Sequence, residues 1–204
     1  MEQMSAQTAA EDLALIRRMM EAGRQKAAFD GKHLMIWGAI LMVSYFAQYL
    51  QVLEYFGGSS LWIWLPAFVV GWSASFLAGR SDCLVGSEPN IALTVYNGAW
   101  LAVGITMLLH FGAAVASSSF NPKAITVLAC GIIASAFYVI SLVTEVRALR
   151  AVSVGWWIIL VYATVQKTYN AEMLLVLAGA SALLILLPGQ LMRRLASERA
   201  STAS

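Results

Sequence analysis

The chain has 204 residues, of which 60% are hydrophobic and only 12% are charged, and its formal net charge is +2. Soluble domains carry about 25% charged residues, so this composition excludes an ordinary soluble domain. The charges cluster near the two termini and between apolar runs, as expected when a bilayer expels them from membrane-spanning segments. The small positive charge reflects residues that orient such segments, and we predict no nucleic-acid partner.

Residues 1–32 are predicted to form a cytoplasmic leader that contains an amphipathic helix. Thr8 and Glu11 form a Thr-x-x-Glu capping box, which is a signature of a helix start. Apolar residues then recur at helical spacing on one face, and basic residues fall mostly on the other. The predicted surface for a partner or a membrane contact consists of Leu13, Ile16, Arg17, Arg18, Met20 and Arg24.

Three interpretations of this leader stay open. It serves only to anchor the topology, or it docks on a cytoplasmic protein, or it senses anionic lipid headgroups. The first needs only the basic charges, whereas docking on a protein also needs the apolar face.

Six apolar runs follow the leader, and each is near the length of about 20 residues that crosses a bilayer as a helix. They cover residues 34–53, 61–78, 91–116, 124–143, 151–166 and 171–187. The predicted fold class is therefore all-α: an integral membrane bundle of six transmembrane helices over residues 33–188. The cytoplasmic amphipathic helix precedes it, and a basic cytoplasmic tail follows at residues 189–204.

The distribution of Lys and Arg predicts how the chain is oriented. If the N-terminus is inside, eleven of the thirteen Lys and Arg residues lie on the inner side. The positive-inside rule then places both termini in the cytoplasm. No cleavable signal peptide is visible, so we expect the first span to act as an uncleaved insertion signal.

The second apolar run carries a small residue at every fourth position, namely Ala67, Gly71, Ser75 and Gly79. Such a stripe lets another helix approach closely and gain van der Waals contact. The stripe predicts helix packing, either within one chain or between two copies in a homodimer.

Residues with catalytic or metal-binding chemistry are sparse. His33 and His110 are predicted to lie on opposite sides of the membrane, and two cysteines are too few for a thiolate site, so we predict no metal and no cofactor. No charged residue lies near the middle of a span, which argues against an ion-coupled transporter. Nucleotide-binding and hydrolase motifs are also missing.

One candidate site remains on the predicted outer side. Glu54, His110 and Lys167 all fall there, and together they form a possible polar cluster. Ordinary interfacial residues that share a side are the alternative interpretation.

Two stretches of the sequence resemble other proteins: the leader segment Ile16-Arg17-Arg18-Met19-Met20-Glu21 and the Trp37-Gly38 start of the first span. Together they resemble a family of uncharacterised bacterial inner-membrane proteins with a charged cytoplasmic leader and several spans. The resemblance covers residues 11–45 and implies the location, and it brings no activity with it.

The sequence thus predicts a multi-pass protein of the bacterial inner membrane without a catalytic site. A regulatory or scaffolding role is expected, with the lipid bilayer and a cytoplasmic protein as partners of the leader and tail. A small transporter or passive channel is the alternative. A membrane enzyme that uses the outer polar cluster is the second alternative.

Overall fold

A computed structural model describes residues 31–83 and 91–202, and the side chains of residues 31–79 and 94–194. All regular structure in these residues is helical. The helices are α1 (Lys32–Val52), α2 (Leu61–Cys83), α3 (Ile91–Ala116), α4 (Pro122–Thr144), α5 (Arg147–Val165), α6 (Ala171–Ser181) and α7 (Leu187–Thr202), and a π-helical segment (Ala182–Leu186) joins the last two. The predicted leader helix and its six contact residues lie outside the described residues.

Six helical segments are long and apolar enough to cross a membrane. They are Lys32–Val52, Leu61–Gly79, Thr94–Ala116, Pro122–Thr144, Arg147–Val165 and Ala171–Arg194. The prediction of six apolar helices in an all-helical fold is therefore confirmed for the described residues. Many large apolar side chains on them are exposed, including Trp62, Leu109 and Ile158. A soluble surface rarely shows so much apolar area, and these features together are compatible with a multi-pass membrane protein.

Local sequence explains where several helices begin and end. The side chains of Asn121 and Asn170 accept hydrogen bonds from Ala124 N (3.2 Å) and Met173 N (2.9 Å), which caps the starts of α4 and α6. At the end of α5, the Lys123 Nζ donates to the backbone oxygens of Thr164 and Gln166. A cation at a helix C-terminus also interacts favourably with the helix dipole.

Several helices extend beyond the predicted apolar runs, and α2 is one of them, because it ends at Cys83, five residues after its predicted run. Glu145 adopts a left-handed conformation (φ 56°) that ends α4, and α5 then begins at Arg147, four residues before the predicted run. Arg147 and Arg150 are both exposed, so the longer helix buries neither charge. At the other end of the chain, the helix that follows the π segment continues to Thr202 and includes much of the predicted basic tail.

Neighbouring helices run antiparallel around the bundle. We call the end at which α1 begins the first end, and the opposite end the second end. α1 packs between α2 and the α6–π–α7 helix, while α4 packs between α3 and α5. At Gly38 the backbones of α1 and the π segment are so close that an added Cβ would lie 2.6 Å from Leu186 N. Gly31 and Gly189 make a similar close approach at the first end.

The α2–α3 seam is packed differently from these contacts. The two helices meet through long side chains rather than through closely packed backbones. The Trp72 ring lies against Gly104, and the ring centroids of Phe68 and Phe111 are 5.0 Å apart. The wall of the bundle at this seam is therefore a layer of aromatic side chains.

Candidate functional site

A cavity of about 260 Å³ lies between α1 and α2 on one side and α3 and α4 on the other. Along α3 its lining extends from Tyr96 to Phe111, about 22 Å at 1.5 Å per residue. An apolar cavity of about 150 Å³ already binds benzene or xenon. The space is therefore elongated and large enough for a small apolar molecule.

The wall of this cavity is built from one face of each helix. On α2 the lining residues Trp64, Phe68 and Trp72 recur every four positions, and on α3 Trp100, Gly104 and other lining residues recur at steps of three or four. Such spacing places side chains in one row along a helix. The aromatic residues of the lining are Trp37, Tyr45, Trp64, Phe68, Trp72, Tyr96, Trp100, Phe111 and Phe120.

Two glycines hold aromatic rings of this wall in place. A Cβ added at Gly71 would lie 2.7 Å from the Trp37 ring, and one added at Gly104 would lie 2.7 Å from the Trp72 ring. Both rings therefore pack directly on the backbone of a neighbouring helix. Two positions of the predicted packing stripe therefore differ. Gly71 packs against the Trp37 ring of α1, whereas nothing lies within 4 Å of a Cβ added at Gly79.

The polar groups near the second end of the cavity are hydrogen-bonded. The Trp64 Nε1 donates to Gln48 Oε1 (3.1 Å), and the Gln48 Nε2 donates to Ser60 Oγ (3.0 Å). The buried residues Tyr45 and Thr126 also line this end. Because an apolar wall offers few polar partners, such groups need internal ones.

A buried phenol lies close to this second end. Tyr169, in the loop between α5 and α6, lies near the lining residue Thr126, but its buried hydroxyl makes no well-aligned hydrogen bond within the described residues. Burial raises the pKa of the Tyr169 phenol to about 12, while the interaction with the Thr126 side chain acts in the opposite direction. The phenol therefore stays neutral at physiological pH, in keeping with its apolar surroundings.

Two polar atoms of the lining are buried and unpaired. Ser75 Oγ and Trp100 Nε1 have no hydrogen-bond partner within the described part of the chain. A buried polar group without a partner costs about 1–3 kcal/mol. A polar group of a ligand bound beside these two atoms would supply the hydrogen bonds that they lack.

The structure does not join the predicted outer polar cluster into a site. Glu54, His110 and Lys167 are all exposed, and no hydrogen bond or ion pair links these three side chains to one another. Glu54 lies just after α1 with a left-handed backbone (φ 64°). Among the residues that the structure describes, no group of three or more His, Cys, Asp and Glu could hold a metal ion.

The structure instead brings together aromatic residues that the sequence analysis did not select. The repeat of Trp64, Phe68 and Trp72 at intervals of four was the available signal. Lipid-facing surfaces also contain aromatic residues, so this repeat alone does not distinguish a cavity from a lipid contact. No protein-family model matches the chain, and no curated protein and no solved structure matches it.

Proposed function

We propose that this membrane protein binds a small, largely apolar molecule in the aromatic cavity and has no catalytic role. The observation that supports this proposal is the elongated cavity, whose wall is mostly aromatic and carries only a few polar atoms. Ligand pockets commonly have such walls. Burial of apolar ligand surface is worth about 25 cal/mol per Å². Within the described side chains, no Asp, Glu, Lys or Arg lines the cavity, and its single histidine, His33, lies at the first end with none of these residues beside it in the lining, which favours binding over acid–base chemistry.

The proposed ligand enters from the bilayer through the α2–α3 seam. A groove on the outer side of this seam is lined by Leu65, Val69, Ser73 and Leu108 together with three residues that also line the cavity. Those shared residues are Phe68, Trp72 and Phe111. One layer of aromatic side chains therefore separates the groove from the cavity, and a ligand that takes this route must displace that layer.

The proposed role of binding is regulatory or scaffolding, in the bacterial inner membrane with both termini in the cytoplasm. α1 supports this role because it lines the cavity with Trp37 and Tyr45 and packs against the π segment and α7. A ligand that shifts α1 would also shift α7, which carries the exposed Arg193 and Arg194. The predicted leader directly precedes α1 in the chain.

The binding proposal is tested by filling the cavity. Ala129 lines it, whereas Ala102 is exposed on α3, so Ala129→Phe and Ala102→Phe add the same volume in the two environments. Binding is measured in lipid nanodiscs as saturable quenching of tryptophan fluorescence by 1-bromododecane. All variants carry Trp62→Phe, because Trp62 is 78% exposed and would report on the lipid.

We expect saturable quenching in the parent protein and in Ala102→Phe, and its loss in Ala129→Phe. Circular dichroism of each variant checks that the helices are retained. Quenching that rises without saturation, and equally in both variants, would show that the probe only partitions into the lipid. The proposed binding function would then be wrong.

A transporter or passive channel is the second candidate function. One observation favours it: the lining reaches from His33 at the first end to Phe120 and Pro122 at the second end. Proteoliposomes separate the two candidates, because a transporter accelerates the transfer of a water-soluble amphiphile across the bilayer and a binding protein does not.

A further inference from the structure

The indole of Trp100 is fixed in place, but its N–H makes no well-aligned hydrogen bond within the described residues. Its ring makes edge-on contacts with Phe137 (centroids 5.1 Å apart) and Tyr96 (6.3 Å). These contacts restrain the direction in which the Nε1 hydrogen points. An indole N–H is only a donor, so it requires an acceptor atom; the neighbouring Tyr96 phenol interacts with the Trp100 side chain, but no described residue accepts a well-aligned hydrogen bond from the indole N–H.

Ser75 differs from other hydroxyl residues in the spans. The hydroxyls of Ser135, Thr164 and Ser181 each donate to the carbonyl four residues earlier in their own helix. This is the usual way in which serine and threonine are satisfied in membrane helices. The Ser75 Oγ makes no such bond although it is buried, so its hydrogen-bonding capacity remains available to the cavity that it lines.

The two unpaired groups lie at a similar depth in the bundle. Trp72 on α2 contacts Gly104 on α3. From this contact Ser75 is three residues further towards the first end, and Trp100 is four residues further towards the same end. At 1.5 Å per residue these displacements are about 4.5 and 6 Å. A donor and a hydroxyl therefore occur together at one level of the wall, and the lining residues Asn97 and Tyr96 follow on the next turn of α3 towards the first end.

The charge of the lining limits the group that they can hold. An anion buried here would need a permanent cation, and within the described side chains no Lys or Arg lines the cavity; the one histidine of the lining, His33, lies at its first end. A neutral oxygen can accept from the indole N–H and exchange a hydrogen bond with a hydroxyl. A carbonyl or hydroxyl oxygen meets this requirement, and the aromatic wall beyond it fits an apolar stem.

From these observations we infer that the ligand is a neutral amphiphile whose hydroxyl or carbonyl oxygen binds between Trp100 Nε1 and Ser75 Oγ. Its apolar stem lies along the aromatic wall towards the second end. This inference rests on the proposed binding function and adds the chemical class of the ligand. Trp156 also has a buried unpaired Nε1, but it does not line the cavity and therefore provides a control.

The test compares 12-bromo-1-dodecanol with 1-bromododecane, which lacks the hydroxyl, in the same nanodisc quenching assay. Trp100→Phe removes the N–H and keeps an aromatic ring, and Ser75→Ala removes the hydroxyl. One hydrogen bond corresponds to a change in affinity of about three- to tenfold. We expect each variant to bind the alcohol more weakly by that factor and to bind the bromoalkane as the parent does.

The controls remove the same groups away from the cavity. Trp156→Phe and Ser181→Ala should leave the affinity for both probes unchanged. If the parent protein binds alcohol and alkane equally, or if Ser75→Ala and Trp100→Phe bind the alcohol as the parent does, the polar subsite is wrong while cavity binding stands. If neither probe shows saturable binding to the parent, the proposed function itself is overturned.

Discussion

The two cavity-lining tryptophans Trp64 and Trp100 should respond differently to the same substitution. The Trp64 Nε1 donates to Gln48 Oε1 at 3.1 Å, whereas the Trp100 Nε1 is buried without a partner in the described chain. Replacement by Phe removes the same atoms at both positions, so the cost of the smaller ring is largely shared. Trp64→Phe also leaves a buried amide oxygen with one donor fewer, which costs about 1–3 kcal/mol.

We therefore expect Trp64→Phe to lower the free energy of unfolding by about 1–3 kcal/mol more than Trp100→Phe. For a chain of this length, that difference corresponds to about 2–12 °C in the melting temperature. Thermal and dodecyl-sulfate unfolding of detergent-solubilised protein, followed by circular dichroism without added ligand, measures it. The double variant with Gln48→Ala should remove most of the difference.

Equal destabilisation by the two substitutions would refute this reasoning. It would mean that the ligand-free protein stabilises the Trp100 N–H to the same extent as the Trp64 N–H. The inference of an oxygen-bearing ligand would then lose one of its two supporting groups, because only Ser75 would remain available.

Three further predictions concern the seam, the leader and the topology. Gly104→Ala should displace the Trp72 ring and lower the free energy of unfolding by about 1–3 kcal/mol, whereas Gly98→Ala, with nothing within 4 Å of the added Cβ, should be neutral in the same unfolding assay. An alkaline-phosphatase fusion at residue 85 should be inactive, because the predicted topology places this loop inside; activity would reverse the orientation. Aspartate at three leader positions should preserve insertion and orientation but remove a co-purifying protein or a membrane-surface contact, and unchanged co-purification and protease protection would leave the leader as an anchor only. Those positions are Leu13, Ile16 and Met20.

The sequence predicted the helices well because length and hydropathy act locally. A run of about 20 apolar residues forms a helix in a bilayer whatever it packs against. The exact ends were less predictable, since they depend on single conformations such as the left-handed Glu145 that separates α4 from α5.

The cavity was not predictable in the same way. Each of the six long helices is apolar on most of its faces, so the pattern of apolar residues does not show which face points inward. The stripe through Gly71 was visible in the sequence, but its neighbour is the indole of Trp37, whose position depends on the packing of α1 against α2. The unpaired state of Ser75 likewise depends on three-dimensional neighbours.

The π segment between α6 and α7 sets the rotational phase of the C-terminal part of the chain. A π turn holds one residue more than an α turn, so everything after Leu186 is rotated by about 100° relative to an uninterrupted α-helix. Pro188 is the second residue after the π segment, and its ring would otherwise press on the carbonyl of Leu184, which lies within the widened turn. With this extra residue Gly189 faces Gly31, and α7 therefore remains in phase with α1.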